Sequence, residues 1–191
     1  MAAPTEPEAE TEFHIPLRPD GWTVDEVLAL PEDQTSLQRI ELVDGTLLVS
    51  PWPRLEHQRL VGMLCGQLGA GAGPGFEVFP GANLVMGNRG NRLVIPDVVV
   101  TDEPGLKGVS LTEKQVVLVA EIVSPSTKVQ DRILKRALYA EALIPYYLLI
   151  EPLEPAVATL FALEGEEYVP ISKGENGELR LTKPFEAILR L

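Results

Sequence analysis

The sequence predicts a mixed α/β (α+β) domain: a mixed β-sheet core flanked by helices and closed by a small antiparallel C-terminal extension. Three observations carry this. Leu93–Val100 and Val116–Val123 are apolar, β-branched runs without polar alternation, the pattern of strands covered on both faces. Arg39–Val43, Asp44-Gly45 and Thr46–Ser50 spell a β-hairpin with a two-residue turn. Leu60, Val61, Leu64, Cys65 and Leu68 recur at helical spacing, so a helix with one apolar stripe follows the hairpin.

In chain order, residues 1–20 read as a flexible acidic leader and residues 21–191 as one domain, a length and a 45% apolar content that suffice for a core. Thr23 caps a short helix that ends before Pro31. The hairpin comes next, with Glu41 and Val43 on one face. The helix from Arg54 is expected to stop in the glycine-rich stretch Gly69–Gly75. His57 lies near its start on the apolar stripe, where a histidine is more often a hydrogen-bonded core residue than a ligand. Short strands at Phe76–Phe79 and Asn83–Met86 lead into the Asp97 run, in which Pro96 withholds a ladder donor and signals an edge, a bend or a bulge. After the second run, Ser124-Pro125-Ser126 breaks the backbone. Thr127 to Gln130 then forms a capping box for a helix to about Leu143. Pro145–Ile150 reads as another buried strand, and Ala156–Leu163, Tyr168–Ile171 and Leu179–Leu181 form the antiparallel extension.

Composition narrows the function. No secretory n- or h-region opens the chain and no run is long enough to span a membrane, so a soluble, cytoplasmic protein is expected. The lone Cys65 sits on the helical stripe and reads as core filler; it allows no intrachain disulfide. The net charge of −12 opposes tight nucleic-acid binding, and it stays at −8 without Glu6, Glu8, Glu10 and Glu12 of the leader. One basic stretch stands apart, Met86 to Arg92. Its Arg89 and Arg92 are either phosphate contacts or the exposed residues of a Gly/Asn turn.

The two acids inside the apolar runs, Asp97 and Glu121, carry the functional question. An ionised carboxylate taken out of water without a partner costs several kcal/mol or more, so metal, lysine or arginine must compensate. Asp131 and Lys135 lie about 6 and 12 Å along the following helix, and Glu121 lies about 7 Å below the strand end. Helical side chains lean toward the N-terminus, so Lys135 can reach the level of Glu121. The plain alternative is a surface Asp131–Lys135 pair at i,i+4. Oxygen ligands with few imidazoles or thiols favour Mg2+ or Mn2+ over zinc, and two acids with a lysine suit metal-assisted phosphodiester hydrolysis. Ser124 and Ser126 have a turn-and-cap explanation and no Gly-x-Ser-x-Gly elbow occurs, which argues against serine catalysis.

Glu41-Leu42-Val43-Asp44-Gly45, His57-Gln58, Pro96–Val100, Glu121–Thr127, and Asp131-Arg132-x-x-Lys135 with Tyr139 together resemble the Uma-type restriction endonuclease family of the PD-(D/E)XK nuclease superfamily, over roughly Gly21 to Leu191. The resemblance implies a restriction-endonuclease-like fold, with Asp97 and Glu121 as metal-binding carboxylates and Glu41 as the upstream acid. The superfamily lysine normally stands two residues after the second acid, where this chain has Val123; the resemblance moves it to Lys135. The expected site is therefore Glu41, Asp97, Glu121 and Lys135. The Ile122 carbonyl helps to hold an Mg2+ or Mn2+ ion, and His57, Asp131 and Tyr139 stand behind these groups. DNA is the expected substrate and a homodimer the expected assembly. The competing expectation is a catalytically inactive interaction or regulatory module whose acids are neutralised by Lys135 and Arg39.

Overall fold

A computed structural model describes residues 16–31, 38–87, 91–124, 130–174 and 176–191. The first helix, α1 (Val24–Leu28), starts as expected: the Thr23 hydroxyl accepts from the Glu26 N–H and the Glu26 carboxylate accepts from the Thr23 N–H, a reciprocal cap. Strands β1 (Gln38–Val43) and β2 (Thr46–Pro51) form the hairpin. Asp44 and Gly45 take φ of 47° and 86°, the two left-handed residues that a tight turn between twisted strands requires.

Helix α2 (Leu55–Ala72) buries Leu64 and Leu68 as its stripe predicts and ends inside the glycine-rich stretch Gly69–Gly75, as expected. It runs through Gly69 and Gly71 and ends at Gly73, because Gly71 serves packing rather than termination. A Cβ there would lie 2.6 Å from the Ala187 Cβ and 2.9 Å from the Glu186 carbonyl oxygen. The missing side chain lets the C-terminal hairpin lie directly on the helix.

Next come β3 (Glu77–Pro80), β4 (Leu84–Met86), β5 (Arg92–Val94) and β6 (Val98–Thr101). The single run expected over Leu93–Val100 is thus two strands in two different sheets. Ile95-Pro96-Asp97 is the crossing, and the absent Pro96 N–H explains why neither ladder continues through it. Then follow β7 (Leu111–Thr112), β8 (Val116–Ile122), a π-helical turn (Gln130–Lys135) that leads into α3 (Arg136–Glu141), and β9 (Tyr146–Glu151). The Thr127 start of this helix lies outside the described residues. Its end does not: the Leu143 N–H bonds to the Ala140 carbonyl and the Ile144 N–H to the Tyr139 carbonyl, with Leu143 at φ 60°. This is a Schellman stop with leucine in the place glycine usually takes.

Strands β10 (Val157–Glu164) and β11 (Glu167–Lys173) extend the main sheet, so only β12 (Glu178–Leu181) and β13 (Ala187–Arg190) remain as a separate antiparallel pair. Among the described residues the main sheet runs β11-β10-β9-β8-β6-β3, with β8 and β9 parallel and its other neighbours antiparallel. The second sheet runs β2-β1-β5-β4-β7. Alternation along the main sheet sorts the core. Val98, Val100, Leu118, Ala120 and Ile122 pack with Leu64 and Leu68 of α2 and with Leu179 and Leu189 of the hairpin. Val99 and Val119 face the other way, toward Leu138 and Tyr139 of α3. No described helix is long and apolar enough to cross a membrane.

Candidate active site

The two sheets meet where the chain crosses from β5 to β6, and the four acids and bases anticipated from sequence converge there. β1 contributes Glu41, the crossing contributes Asp97, β8 contributes Glu121, and the π-helical turn contributes Lys135. All four are buried, with 3%, 6%, 1% and 5% of their surface exposed. The register that sets Val98 against Ala120 and Val99 against Val119 places Asp97 opposite Glu121 when continued by one residue.

Lys135 ties the acids together. Its Nζ lies 3.1 Å from Glu41 Oε1 and 3.1 Å from Glu121 Oε1. The Tyr139 hydroxyl, one turn further along, donates to Glu121 Oε1 at 2.5 Å. Glu41 Oε1 also accepts from the Ile95 N–H at 2.7 Å, which ties the hairpin to the crossing. A π-turn accommodates one more residue per turn than an α-helix, so phasing from the 3.6-residue period does not hold through Lys135; such turns recur at functional sites. Val123 is buried, and by strand alternation it shares the face of Glu121. The cation comes instead from a different element.

Asp97 has its own set of partners. Its Oδ2 accepts from the Ile122 N–H at 2.8 Å and its Oδ1 from Arg39 Nη1 at 3.1 Å. His57 Nε2 lies 3.0 Å from Oδ1. Burial alone would raise the Asp97 pKa, but the His57 ring, the Arg39 guanidinium and the Ile122 N–H outweigh it and hold the carboxyl at about 2. A depressed carboxyl stabilises the fold above the ordinary aspartate range, near pH 4, and that share is lost as pH falls toward 2. It is on the order of 2 kcal/mol. Urea melts at pH 4 and pH 2 should therefore show a larger loss for wild type than for Asp97→Asn. Equal losses would mean that Asp97 is not held low.

Arg39 belongs to the site in full. Burial works against its charge, yet Glu41, Glu121 and Asp97 together push its pKa above the ordinary arginine value. Its Nη2 also lies 3.9 Å from Glu41 Oε1. Sequence reading places Arg39 only as a neutralising charge, although the signal for more is present. Arg39 and Glu41 are two apart on one strand and so share a face. Tyr139 is fully buried, and burial followed by the Glu121 charge raises its pKa well above that of a free tyrosine, which keeps its proton on as a donor.

The remaining candidates lie elsewhere or undescribed. Arg92 donates to both oxygens of Asp44 at 2.9 and 3.0 Å and to Glu141 at 2.6 Å, so its guanidinium is engaged by two carboxylates. Arg89 and the Asp131 side chain lie outside the described residues. Among the described residues no group of three or more His, Cys, Asp or Glu is arranged to hold a metal ion. Three carboxylates meet two fixed cations, Arg39 and Lys135, which leaves one negative charge in excess before His57 is counted.

Comparison with known proteins gives the family and the fold. The family model described as "Uma2: Putative restriction endonuclease" matches residues 24–190. The fold is similar to that in the crystal structure of a putative nuclease belonging to DUF820 from Anabaena variabilis, with a TM-score of 0.61, 19% identity, and coverage of 85% of this chain and 89% of that one. No curated protein matches the chain.

Proposed function

We propose, for a chain that belongs to the Uma2 restriction endonuclease family, that Glu41, Asp97, Glu121 and Lys135 form the active site of a divalent-metal-dependent DNA endonuclease. The convergence of two buried acids, Glu41 and Glu121, on one lysine amine, with buried Asp97 bound to Arg39 and to the Ile122 N–H beside them at the seam of two sheets, carries this reading. The donor set fits a hard cation. Mg2+ is commonly held by only one or two carboxylates, with water and phosphate oxygens completing its shell, so Asp97 and Glu121 suffice as its carboxylate ligands. The N–H and C=O of one strand residue point the same way, and the Ile122 N–H already meets Asp97, so the Ile122 carbonyl would join them. Bound there, the ion supplies Lewis-acid stabilisation of phosphoryl charge and a more acidic water.

The chain's own groups do the rest. Lys135 holds a phosphate oxygen or the attacking water as a point charge. Tyr139 fixes the orientation of Glu121, and the Ile122 N–H and Arg39 fix that of Asp97. Glu41 accepts from the nucleophile side or binds a ligand water. Magnesium or manganese should raise the melting temperature of the wild type, by about 2.7 kcal/mol of stability at a hundredfold excess over Kd, and Glu121→Ala should lose the response. Single-stranded, supercoiled and linear DNA at low salt with manganese should be cut by wild type and not by Lys135→Ala. Equal background cleavage by both would remove the nuclease assignment.

A second reading has its own support. Lys135 and Arg39 already pair with all three acids, as a non-catalytic interaction module of this fold would require. Melting that ignores both metals in wild type and Glu121→Ala alike would favour it.

A further inference from the structure

Among the described residues the two larger sheets have β2, β7, β11 and β3 as their outer strands. An outer strand presents unpaired N–H and C=O groups that invite another strand unless something blunts them. Three of these are blunted. β7 has two residues, β3 has four and ends in Pro80, and β11 carries Pro170 at its centre with Glu167 and Lys173 at its ends. β2 is the exception. It has six residues, Thr46-Leu47-Leu48-Val49-Ser50-Pro51, and pairs among the described residues with β1 alone. No charged residue occurs from Gly45 to Pro53, and Val49 is 43% exposed, with Leu55 at the start of α2 72% exposed.

The hairpin turn fixes which backbone groups of β2 face outward. A two-residue turn closes on a hydrogen-bonded pair, here Val43 and Thr46, and bonded pairs alternate along an antiparallel ladder. Thr46, Leu48 and Ser50 therefore bond to β1, while Leu47 and Val49 turn their N–H and C=O to the edge. A second copy of the strand, antiparallel about a two-fold axis at Leu48, meets those groups in register. Leu47 then stands opposite Val49 of the second copy, and Val49 opposite its Leu47, each pair exchanging both N–H···O bonds. Thr46 stands opposite Ser50 of the second copy, and the two Leu48 residues stand opposite each other.

Self-complementarity selects a second copy as the occupant. Apolar meets apolar, hydroxyl meets hydroxyl, and no like charges stand opposite, which would destabilise the pairing. A chain with a net charge of −12 repels its own copy, so a strand without charge is where two copies meet at least cost. We propose that β2 is the subunit contact of a homodimer, in which the two β2 strands pair antiparallel about Leu48 and join the second sheets of both copies into one. Leu48 stands opposite Glu41 in β1, and side chains directly opposite share a face. The Glu41 positions of the two copies then lie on one face of the joined sheet, three strand spacings or about 14 Å apart. The contact does not depend on the nuclease reading, to which it would give two sites at a fixed spacing.

Sedimentation equilibrium of the full chain, without metal or nucleic acid, should give twice the 20.9 kDa chain mass at micromolar concentration. Val49→Lys puts a charge on the exposed edge, the usual device against strand pairing. It should weaken the dimer about tenfold or more and leave the circular dichroism spectrum unchanged. The register has its own test, which needs no loss of function or stability. Opposed Leu48 residues form a pair outside the bonded positions, with Cα atoms about 4.5 Å apart, a separation that a disulfide spans. In a Cys65→Ser background, Leu48→Cys should give a covalent dimer under mild oxidation. Val49→Cys should not, because its counterpart lies two residues along the opposing strand, beyond disulfide reach. A wild-type monomer would overturn the proposal in favour of a strand from another protein. A dimer that survives Val49→Lys, or that cross-links through Val49→Cys and not through Leu48→Cys, would overturn it in favour of another surface or register.

Discussion

Replacing Lys135 by methionine is expected to destabilise the fold by about 3–5 kcal/mol, the usual cost of removing one partner from a buried ion pair. In a chain of this length that lowers the melting temperature by on the order of 10 °C. The reason is geometric. One Nζ lies 3.1 Å from a carboxylate oxygen of Glu41 and 3.1 Å from one of Glu121, and both acids are buried. Methionine fills the same space but takes the ammonium from between two carboxylates, leaving Glu41 its longer contact with Arg39 at 3.9 Å. Adding Glu41→Gln should recover part of the loss, so the double variant should cost less than the sum of the single ones. Strict additivity in thermal melts would mean that the lysine and the two acids do not act as one unit.

That unit was partly legible in the sequence. Asp97 and Glu121 stood out because charged residues interrupt runs otherwise built for burial, and the structure buries both. The family resemblance pointed to Lys135, and strand rise, helix rise and the lean of helical side chains allowed its reach, although the π-turn that carries it was not foreseen. Glu41 came from the family resemblance, and Asp44-Gly45 fixed only the hairpin that carries it. What escaped was set by tertiary contact. Pro96 announced a bend, but nothing local tells that the bend carries the chain from one sheet into another, which is what joins Glu41 to Asp97. The glycine-rich stretch announced the end of α2 but not its place, and only the C-terminal hairpin pressed against Gly71 shows why the helix runs on to Ala72. Strand β13 is four residues long and pairs only with β12, too short a pattern to register.

The two sets of contacts divide the labour at the site. Arg39, His57 and the Ile122 N–H fix Asp97. Lys135 and Tyr139 fix Glu121 from the helix side. The first set therefore holds Asp97 from the side of β1 and α2, and the second holds Glu121 from the side of α3.

Tyr139→Phe tests the second set without touching any charge. The substitution keeps the ring among Tyr147 and its neighbours, 5.8 Å between centroids, and removes one oxygen. Its hydroxyl is a 2.5 Å donor to Glu121 Oε1 in a fully buried setting, and a hydrogen bond to a charged group contributes about 1.5–3 kcal/mol. Stability should fall by that amount. If Glu121 holds an ion, the larger effect is functional, because groups that orient a metal-binding carboxylate typically cost about 10–100-fold in metal affinity or activity when removed. The loss should appear as a weaker manganese-induced rise in melting temperature and a matching rise in the manganese concentration needed for half-maximal cleavage. A variant that loses stability but keeps its manganese dependence would show that Tyr139 only packs and pairs, and that Glu121 is aimed by Lys135 alone.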